Sequence, residues 1–181
     1  MNPIEGTERY VPCDTLLLAI GLIPENELSR MAGIEIHPVT GGPVVNDLLQ
    51  TSNPAVFAAG NVVIVYDLVD NVSDEGLIAG ANAAKFAAGR ISKDIRRIPV
   101  KGGENVRLYS PQFVTGESDT IIYMRVTHPI EGACKVIAEP GIFSQKMRYA
   151  RPGEMNEVRI KADVIKSKPD LKEITVDIQP L

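Results

Sequence analysis

Apolar and polar positions change their spacing about halfway along the chain. In the first half, two short apolar runs, residues 15–20 and 55–59, are each followed by a glycine. Uninterrupted runs of this length are typical of strands buried on both faces of a parallel sheet. After Pro99 the apolar residues instead alternate with polar ones, as in residues 122–126. The first half is therefore predicted to be an α/β segment and the second half to be all β.

The alternating half is divided into short segments by turn signals. Such spacing, with six or seven strands, indicates an antiparallel sandwich or barrel, and we predict an immunoglobulin-like sandwich. The whole chain would then be α+β. The clearest strand candidates are residues 122–126, 143–149, 158–164 and 174–178.

Two helices are predicted in the first half. The shorter one, residues 24–33, has Pro24 in its first turn and Gly33 at its end. The longer one covers about residues 72–90, with Gly89 as a natural cap. A stripe of small residues on one face would let this helix approach either a sheet or a flat ligand closely. The stripe consists of Gly76, Gly80, Ala84 and Ala88.

Charge divides the chain at the same place as the apolar spacing. The net charge of the 181 residues is -4, with -7 in residues 1–95 and +3 in the rest. We therefore predict two domains, residues 1–97 and 98–181. The excess of +3 is too small to indicate a nucleic-acid partner. No apolar run approaches the roughly 20 residues of a membrane helix, and the first residues do not resemble a signal peptide, so we expect a cytoplasmic protein without membrane insertion.

Residues 51–62 carry the clearest chemical signal. Small residues run into Gly60 and Asn61, which would let the backbone approach a bulky cofactor at the end of a strand. Gly21 follows the first apolar run, so both glycines would lie at the ligand-binding edge of one parallel sheet. Asn61 supplies a donor and an acceptor there. An ordinary α/β sheet with tight turns accounts for the spacing equally well.

The same stretches resemble a known family. Residues 14–24 and 51–61 look like the carboxyl-terminal part of the FAD domain of the pyridine nucleotide-disulfide oxidoreductase superfamily, and the resemblance covers roughly residues 7–95. Within it, the chain most resembles NAD(FAD)-dependent dehydrogenases of the kind associated with glycerol-3-phosphate dehydrogenase systems. The resemblance implies FAD contacts at Gly60, Asn61, the helix start near Ser73, and Gly21. Asn61 stands where the family usually has an Asp that hydrogen-bonds the ribityl chain.

Four other reactive side chains are interpreted as structural. Asp74 and Glu75 fall in the predicted first turn of the long helix and are read as solvated acids that suit the helix dipole. Cys13 and Cys134 match no metal or redox spacing, so they are read as structural thiols. We predict no catalytic side chain and no metal site.

The chain lacks any G-x-G-x-x-G loop for binding a dinucleotide. We therefore expect a carboxyl-terminal fragment of a flavin-dependent NAD(P)H oxidoreductase that is not catalytic alone. FAD and NAD(P) would bind the longer protein. The expected partners are the remainder of the flavoprotein and a redox subunit docked on the β half. The alternative is a non-enzymatic assembly module in which Gly60 and Asn61 form only a turn.

Overall fold

The computed structural model describes residues 4–92 and 94–181. Among these residues, the first half of the chain has two α-helices and a short 3-10 turn, and the second half has eight strands and a third helix. In chain order the elements are α1 (Glu27–Met31), the 3-10 turn (Gly60–Val62), α2 (Val69–Ala87), β1 (Ile98–Gly102), β2 (Val106–Ser110), β3 (Phe113–Val114), β4 (Thr120–Val126), β5 (Cys134–Glu139), β6 (Phe143–Met147), β7 (Asn156–Ile160), α3 (Ala162–Lys166) and β8 (Ile174–Pro180). The molecule is therefore mixed α and β, with its sheets in the second half.

The strands form two sheets that share one core. A five-stranded sheet has the order β3-β1-β8-β5-β6, and a three-stranded sheet has the order β2-β4-β7. All pairs are antiparallel except β1 with β8, where Val100 lies opposite Ile174. Ile122, Met124 and Val126 of β4 are fully buried against residues of the other sheet. The predicted period of two is confirmed in this strand: Ile122, Met124 and Val126 face the shared core, whereas Tyr123 lies on the opposite side and is also buried.

The prediction of a strand over residues 158–164 is wrong beyond Ile160. The chain turns into α3 there, and the carboxylate of Asp119 accepts a hydrogen bond from Ala162 N at 3.0 Å. The helical turn carries Ile165 into the shared core. A strand would have pointed Val164, rather than Ile165, to the same side as Ile160.

The two predicted parallel strands of the first half are absent from the described residues. Residues 15–20 belong to no helix or strand, and Leu17 is 91% exposed. Residues 55–59 make one isolated bridge, between Gln50 and Phe57. A buried parallel strand needs neighbours on its edges and cover on both faces. The described part of the chain provides neither for residues 15–20, and it gives residues 55–59 only this bridge and partial burial.

The long helix is confirmed, although it starts at Val69 rather than near residue 72. It ends at Ala87 and is capped by Gly89 as predicted: Gly89 has φ +68°, and Arg90 N donates to Lys85 O at 2.8 Å. The predicted stripe of small residues faces outward, with open space beside Gly76 and Gly80. Nothing in the described residues packs on that stripe. The shorter helix, α1, is confirmed over fewer residues than predicted.

The first half packs on the three-stranded sheet through apolar and polar contacts. A second core joins Val45, Val63 and Tyr66 to Tyr123 of β4. The buried carboxylate of Asp47 accepts hydrogen bonds from loop and strand groups of the second half: Thr115 N at 3.0 Å, Gly116 N at 3.4 Å and Thr120 Oγ1 at 3.0 Å. Because this core crosses residue 97, the division into two domains there stays a prediction. Among the described residues, no helix combines the length and apolar character needed to cross a membrane.

Candidate functional site

The 3-10 turn Gly60–Val62, called the Gly60 turn below, lies against the start of α2. Gly60 is buried with φ +73°, a backbone conformation that favours glycine. A Cβ at this position would lie 2.9 Å from Val72 Cγ1, in the first turn of the helix. The small residue predicted at Gly60 is therefore required by a close approach to α2.

A buried carboxylate holds this turn from inside the molecule. Glu75 is 5% exposed, and its Oε2 accepts a hydrogen bond from Gly60 N at 2.8 Å. Its Oε1 accepts a short hydrogen bond from the Tyr66 hydroxyl. Burial raises the pKa of Glu75 above its ordinary value, against the lowering effect of these two bonds. Burial also raises the pKa of Tyr66, and the neighbouring carboxylate raises it further.

The interpretation of Glu75 as a solvated acid is wrong, whereas Asp74 is exposed as predicted. Because α2 begins at Val69, Glu75 falls in the second turn of the helix. It shares the buried helix face with Ala79 and Asn82, at spacings of four and seven residues. That spacing is the one sequence signal that could have indicated its burial.

Asn61 is exposed, and the oxygen of its side-chain amide is hydrogen-bonded to the backbone. Its Oδ1 accepts a hydrogen bond from Tyr66 N at 3.2 Å. In the described residues nothing accepts from Asn61 Nδ2, so its two donors face outward. The group that Asn61 offers to a ligand is therefore chiefly this donor pair, together with the remaining lone pair of Oδ1.

The start of α2 supplies backbone donors close to the Gly60 turn. Leu68 precedes the helix and makes no side-chain cap, so the first amides of the helix are not satisfied by capping. Ser73 lies one turn later than predicted, and its Oγ donates to Val69 O at 3.0 Å. The helix N-terminus is therefore at Val69 to Val72, and the placement of Ser73 there was wrong.

Gly21 is not brought into this arrangement. It follows the exposed residues 15–20, with φ +121° and open space where a Cβ would be. The structure thus brings Gly60, Asn61 and the first turn of α2 together and leaves Gly21 outside any helix or strand.

Asn26 fixes the far side of the Gly60 turn. It is 1% exposed, and its Nδ2 donates to Val62 O at 2.8 Å and to Gly41 O at 2.9 Å. Its Oδ1 accepts from Ser29 Oγ at 2.8 Å. No spacing in the sequence connects these residues, since the contact joins segments 36 residues apart.

A cleft of about 240 Å³ opens between α2 and the three-stranded sheet. Glu75 and Tyr123 line it together with Arg159, and burial raises the pKa of Tyr123 to about 12. Within residues 4–92 and 94–181, no three His, Cys, Asp or Glu side chains are placed to hold a metal ion. Cys13 is exposed and Cys134 is buried, and neither forms a disulfide.

Comparison with known proteins places the first half in one family. A family profile described as "Pyridine nucleotide-disulphide oxidoreductase" matches residues 2–95, which is more than half of the chain. The nitric oxide reductase FlRd-NAD(+) reductase of Klebsiella pneumoniae (strain 342) is 44% identical over 54 residues, which cover 30% of this chain and 14% of the relative.

Two further relatives align with about half of the chain. The mitochondrial dihydrolipoyl dehydrogenase of Caenorhabditis elegans is 30% identical over 96 residues, covering 52% of this chain and 19% of the relative. The mercuric reductase of Staphylococcus aureus is 32% identical over 97 residues, covering 53% and 17%. The chain thus spans less than a fifth of the length of these relatives. No solved structure matches it.

Proposed function

Because the chain belongs to the pyridine nucleotide-disulphide oxidoreductase family, we propose that it contributes one wall of the FAD site of a flavin-dependent NAD(P)H oxidoreductase. Residues 1–97 would be the carboxyl-terminal portion of the FAD-binding domain. The observation that carries the proposal is the Gly60 turn, which sets the exposed Asn61 beside the uncapped start of α2.

The hydrogen-bond donors of Asn61 and of the start of α2 fit the flavin part of FAD better than the rest of the FAD molecule. Asn61 Nδ2 and its remaining lone pair suit a ribityl hydroxyl, and backbone amides at the start of α2 suit partial negative charge on the ring. The exposed Asp70 in the first turn of α2 carries a charge that opposes an anion. Bound FAD would supply hydride acceptance from NAD(P)H, while these residues only bind and orient it.

The rest of the site would come from outside these residues. The sequence has no glycine-rich loop for the pyrophosphate, and the chain matches less than a fifth of each relative. We propose that the remainder of the flavoprotein covers two surfaces that lack a partner in the described residues. One is the exposed apolar run at residues 15–20, and the other is the small-residue stripe that includes Gly76 and Gly80.

For the second half we propose an immunoglobulin-like sandwich that docks a partner redox subunit. Support comes from two sheets that share a core and from the largely antiparallel pairing. The parallel pair of β1 with β8 is a departure from a purely antiparallel sandwich. Electrons from NAD(P)H would pass through the flavin to this partner.

FAD retention by the full-length flavoprotein tests the contact at Asn61. The change Asn61→Leu removes donors and an acceptor while keeping a similar size, so FAD should bind about 3- to 10-fold more weakly, the effect of one lost hydrogen bond. The matched control is Gln145→Leu on the exposed face of β6, which should leave FAD binding unchanged. Flavin fluorescence during titration gives both dissociation constants. Equal constants for the two variants would contradict the contact.

A non-enzymatic assembly module is the second candidate. It is favoured by one observation: the need for glycine at position 60 is met by packing against Val72, without any ligand. A full-length protein that shows no flavin absorbance after purification with added FAD would support this candidate against the first.

A further inference from the structure

Glu75 is a buried charged group that the proposed flavin contacts do not use. We infer that Glu75 is a positioning residue that holds the Gly60 turn against α2 and thereby sets the place of Asn61. The positioning is a property of the chain itself. Only its consequence for flavin rests on the proposed function.

The hydrogen bonds around Glu75 close a ring. Gly60 N donates to Oε2 at 2.8 Å and the Tyr66 hydroxyl donates to Oε1. Tyr66 N then donates to Asn61 Oδ1 at 3.2 Å, which returns the ring to the residue after Gly60. Gly60 is thus connected to this carboxylate directly, and Asn61 is connected to it through Tyr66. A shift of Glu75 would move both.

The two groups that donate hydrogen bonds to residue 75 require a carboxylate there. A backbone N–H and a hydroxyl point at two different oxygens of Glu75. Glutamine has the same shape but offers only one acceptor oxygen, and its amide nitrogen would face the second donor. An apolar side chain would leave Gly60 N without an acceptor in a buried place. Glu75→Gln should therefore weaken the ring while preserving the packing.

The surroundings of Glu75 limit which groups can influence its charge. Tyr66 packs edge-to-face on Tyr123 of β4, with ring centroids 5.0 Å apart. Asp74 lies next to it on α2, and Arg159 of β7 lines the same cleft. A titration sensed at Gly60 N that persists when Asp74 is neutralised and disappears when Glu75 is neutralised would belong to Glu75.

The test begins with the 181-residue chain without flavin, by NMR of the Gly60 amide. In the unmodified chain this amide should exchange slowly, and its proton shift should follow one titration with a midpoint above 4.5. Glu75→Gln and Glu75→Ala should accelerate exchange at least about 10-fold and abolish the titration. Asp74→Asn, an exposed acid one residue away, is the matched control and should change neither.

If Glu75→Ala does not fold, a milder substitution at Tyr66, the other hydrogen-bond donor to Glu75, keeps the test decisive. Tyr66→Phe removes one donor and leaves the carboxylate, so Gly60 should still titrate but with a shifted midpoint. Unchanged Gly60 exchange and an unchanged titration in folded Glu75→Gln would overturn the positioning role, as would a titration unaffected by Tyr66→Phe.

FAD titration of the full-length flavoprotein separates the inference from the proposed function. Weaker FAD binding by Glu75→Gln, but not by Asp74→Asn, is the expected result. If Gly60 loosens in the chain while unmodified full-length protein binds no FAD, the proposed function fails and the positioning role stands. If unmodified protein binds FAD and Glu75→Gln binds it equally well, the consequence for flavin is overturned.

Discussion

Two segments of similar length that are rich in apolar residues have opposite fates in this molecule. Residues 15–20 are exposed and belong to no helix or strand, whereas β4 (Thr120–Val126) is the most deeply buried strand of the three-stranded sheet. β4 pairs with β2 on one edge and β7 on the other, and both of its faces are covered. In the described residues the first run has no neighbour. An apolar run therefore becomes core only when strands and a covering layer are available to it.

The two halves of the molecule also differ in the contacts that stabilise them. The second half fills its core with side chains from its own strands, while the first half depends on buried polar ties such as Asp47 and Glu75. Burial of polar groups is favourable only when each is hydrogen-bonded, so the first half should be more sensitive to loss of single polar atoms.

The largest expected effect separates these two segments. Ile122→Ala leaves a cavity in the shared core and should lower the free energy of unfolding by about 2–5 kcal/mol. Leu17→Ala, at a 91% exposed position, should change it by less than about 0.5 kcal/mol. Urea denaturation of both variants measures the difference. Similar losses would mean that residues 15–20 are packed in solution, against the comparison above.

The next effect concerns the carboxylate that joins the halves. Asp47→Asn keeps one acceptor oxygen but places an amide NH2 group against hydrogen-bond donors. The free energy of unfolding should therefore fall by about 1.5–3 kcal/mol. Asp170→Asn, at an exposed site, is the control and should be neutral within about 0.5 kcal/mol. A neutral Asp47→Asn would show that this carboxylate does not help to hold the halves together.

Substitution of two glycines by alanine, one beside α2 and one on it, should change the stability in opposite directions. Gly60→Ala forces a side chain into the left-handed region and towards Val72, which should cost about 1–3 kcal/mol of stability. Gly76→Ala enters open space on a regular helix and should stabilise by about 0.5–1 kcal/mol. Thermal unfolding of the pair gives the signs, and destabilisation by both would contradict an outward-facing stripe.

The smallest effect is a dependence of stability on pH. Burial raises the pKa of Glu75 in the folded chain, so the folded state holds the proton more tightly than the unfolded state does. Its contribution is fully present below the unfolded value of about 4.5 and is lost as pH rises through the higher folded pKa. Glu75→Gln should flatten this part of the pH profile. An unchanged profile would mean that the buried carboxylate does not titrate in this window.

How much the sequence could predict depends on whether the signal was local. The alternation in β4 and β8 and the glycine cap of α2 each depend on nearby residues, and they were predicted. The turn into α3 was missed because the alternation continues through Val164 and the stabilising contact comes from Asp119, over 40 residues earlier. The hydrogen bonds of Asn26 join segments 36 residues apart, which no spacing reveals. The spacing along α2 indicates the burial of Glu75, but it does not indicate the hydrogen-bond partners Gly60 and Tyr66.

The candidate site was predicted in part for the same reason. The motif at Gly60 and Asn61 is local, so its turn was recognised. Ser73 was misplaced because the helix start depends on where the chain leaves Tyr66, and Gly21 depended on a sheet that the described residues do not contain. The prediction that Gly21 and Gly60 lie at one ligand-binding edge of a sheet required neighbouring strands. The pattern of a single chain segment does not show whether such neighbours exist.

The central claim is that the first half belongs to a larger FAD-binding domain, and amide hydrogen exchange of residues 15–20 tests it most directly. These amides should exchange within seconds in the 181-residue chain, because no hydrogen bond protects them in the described structure. In the full-length flavoprotein loaded with FAD, they should be protected at least about 100-fold as a paired strand. Fast exchange in both proteins, or protection already in the chain alone, would contradict the account.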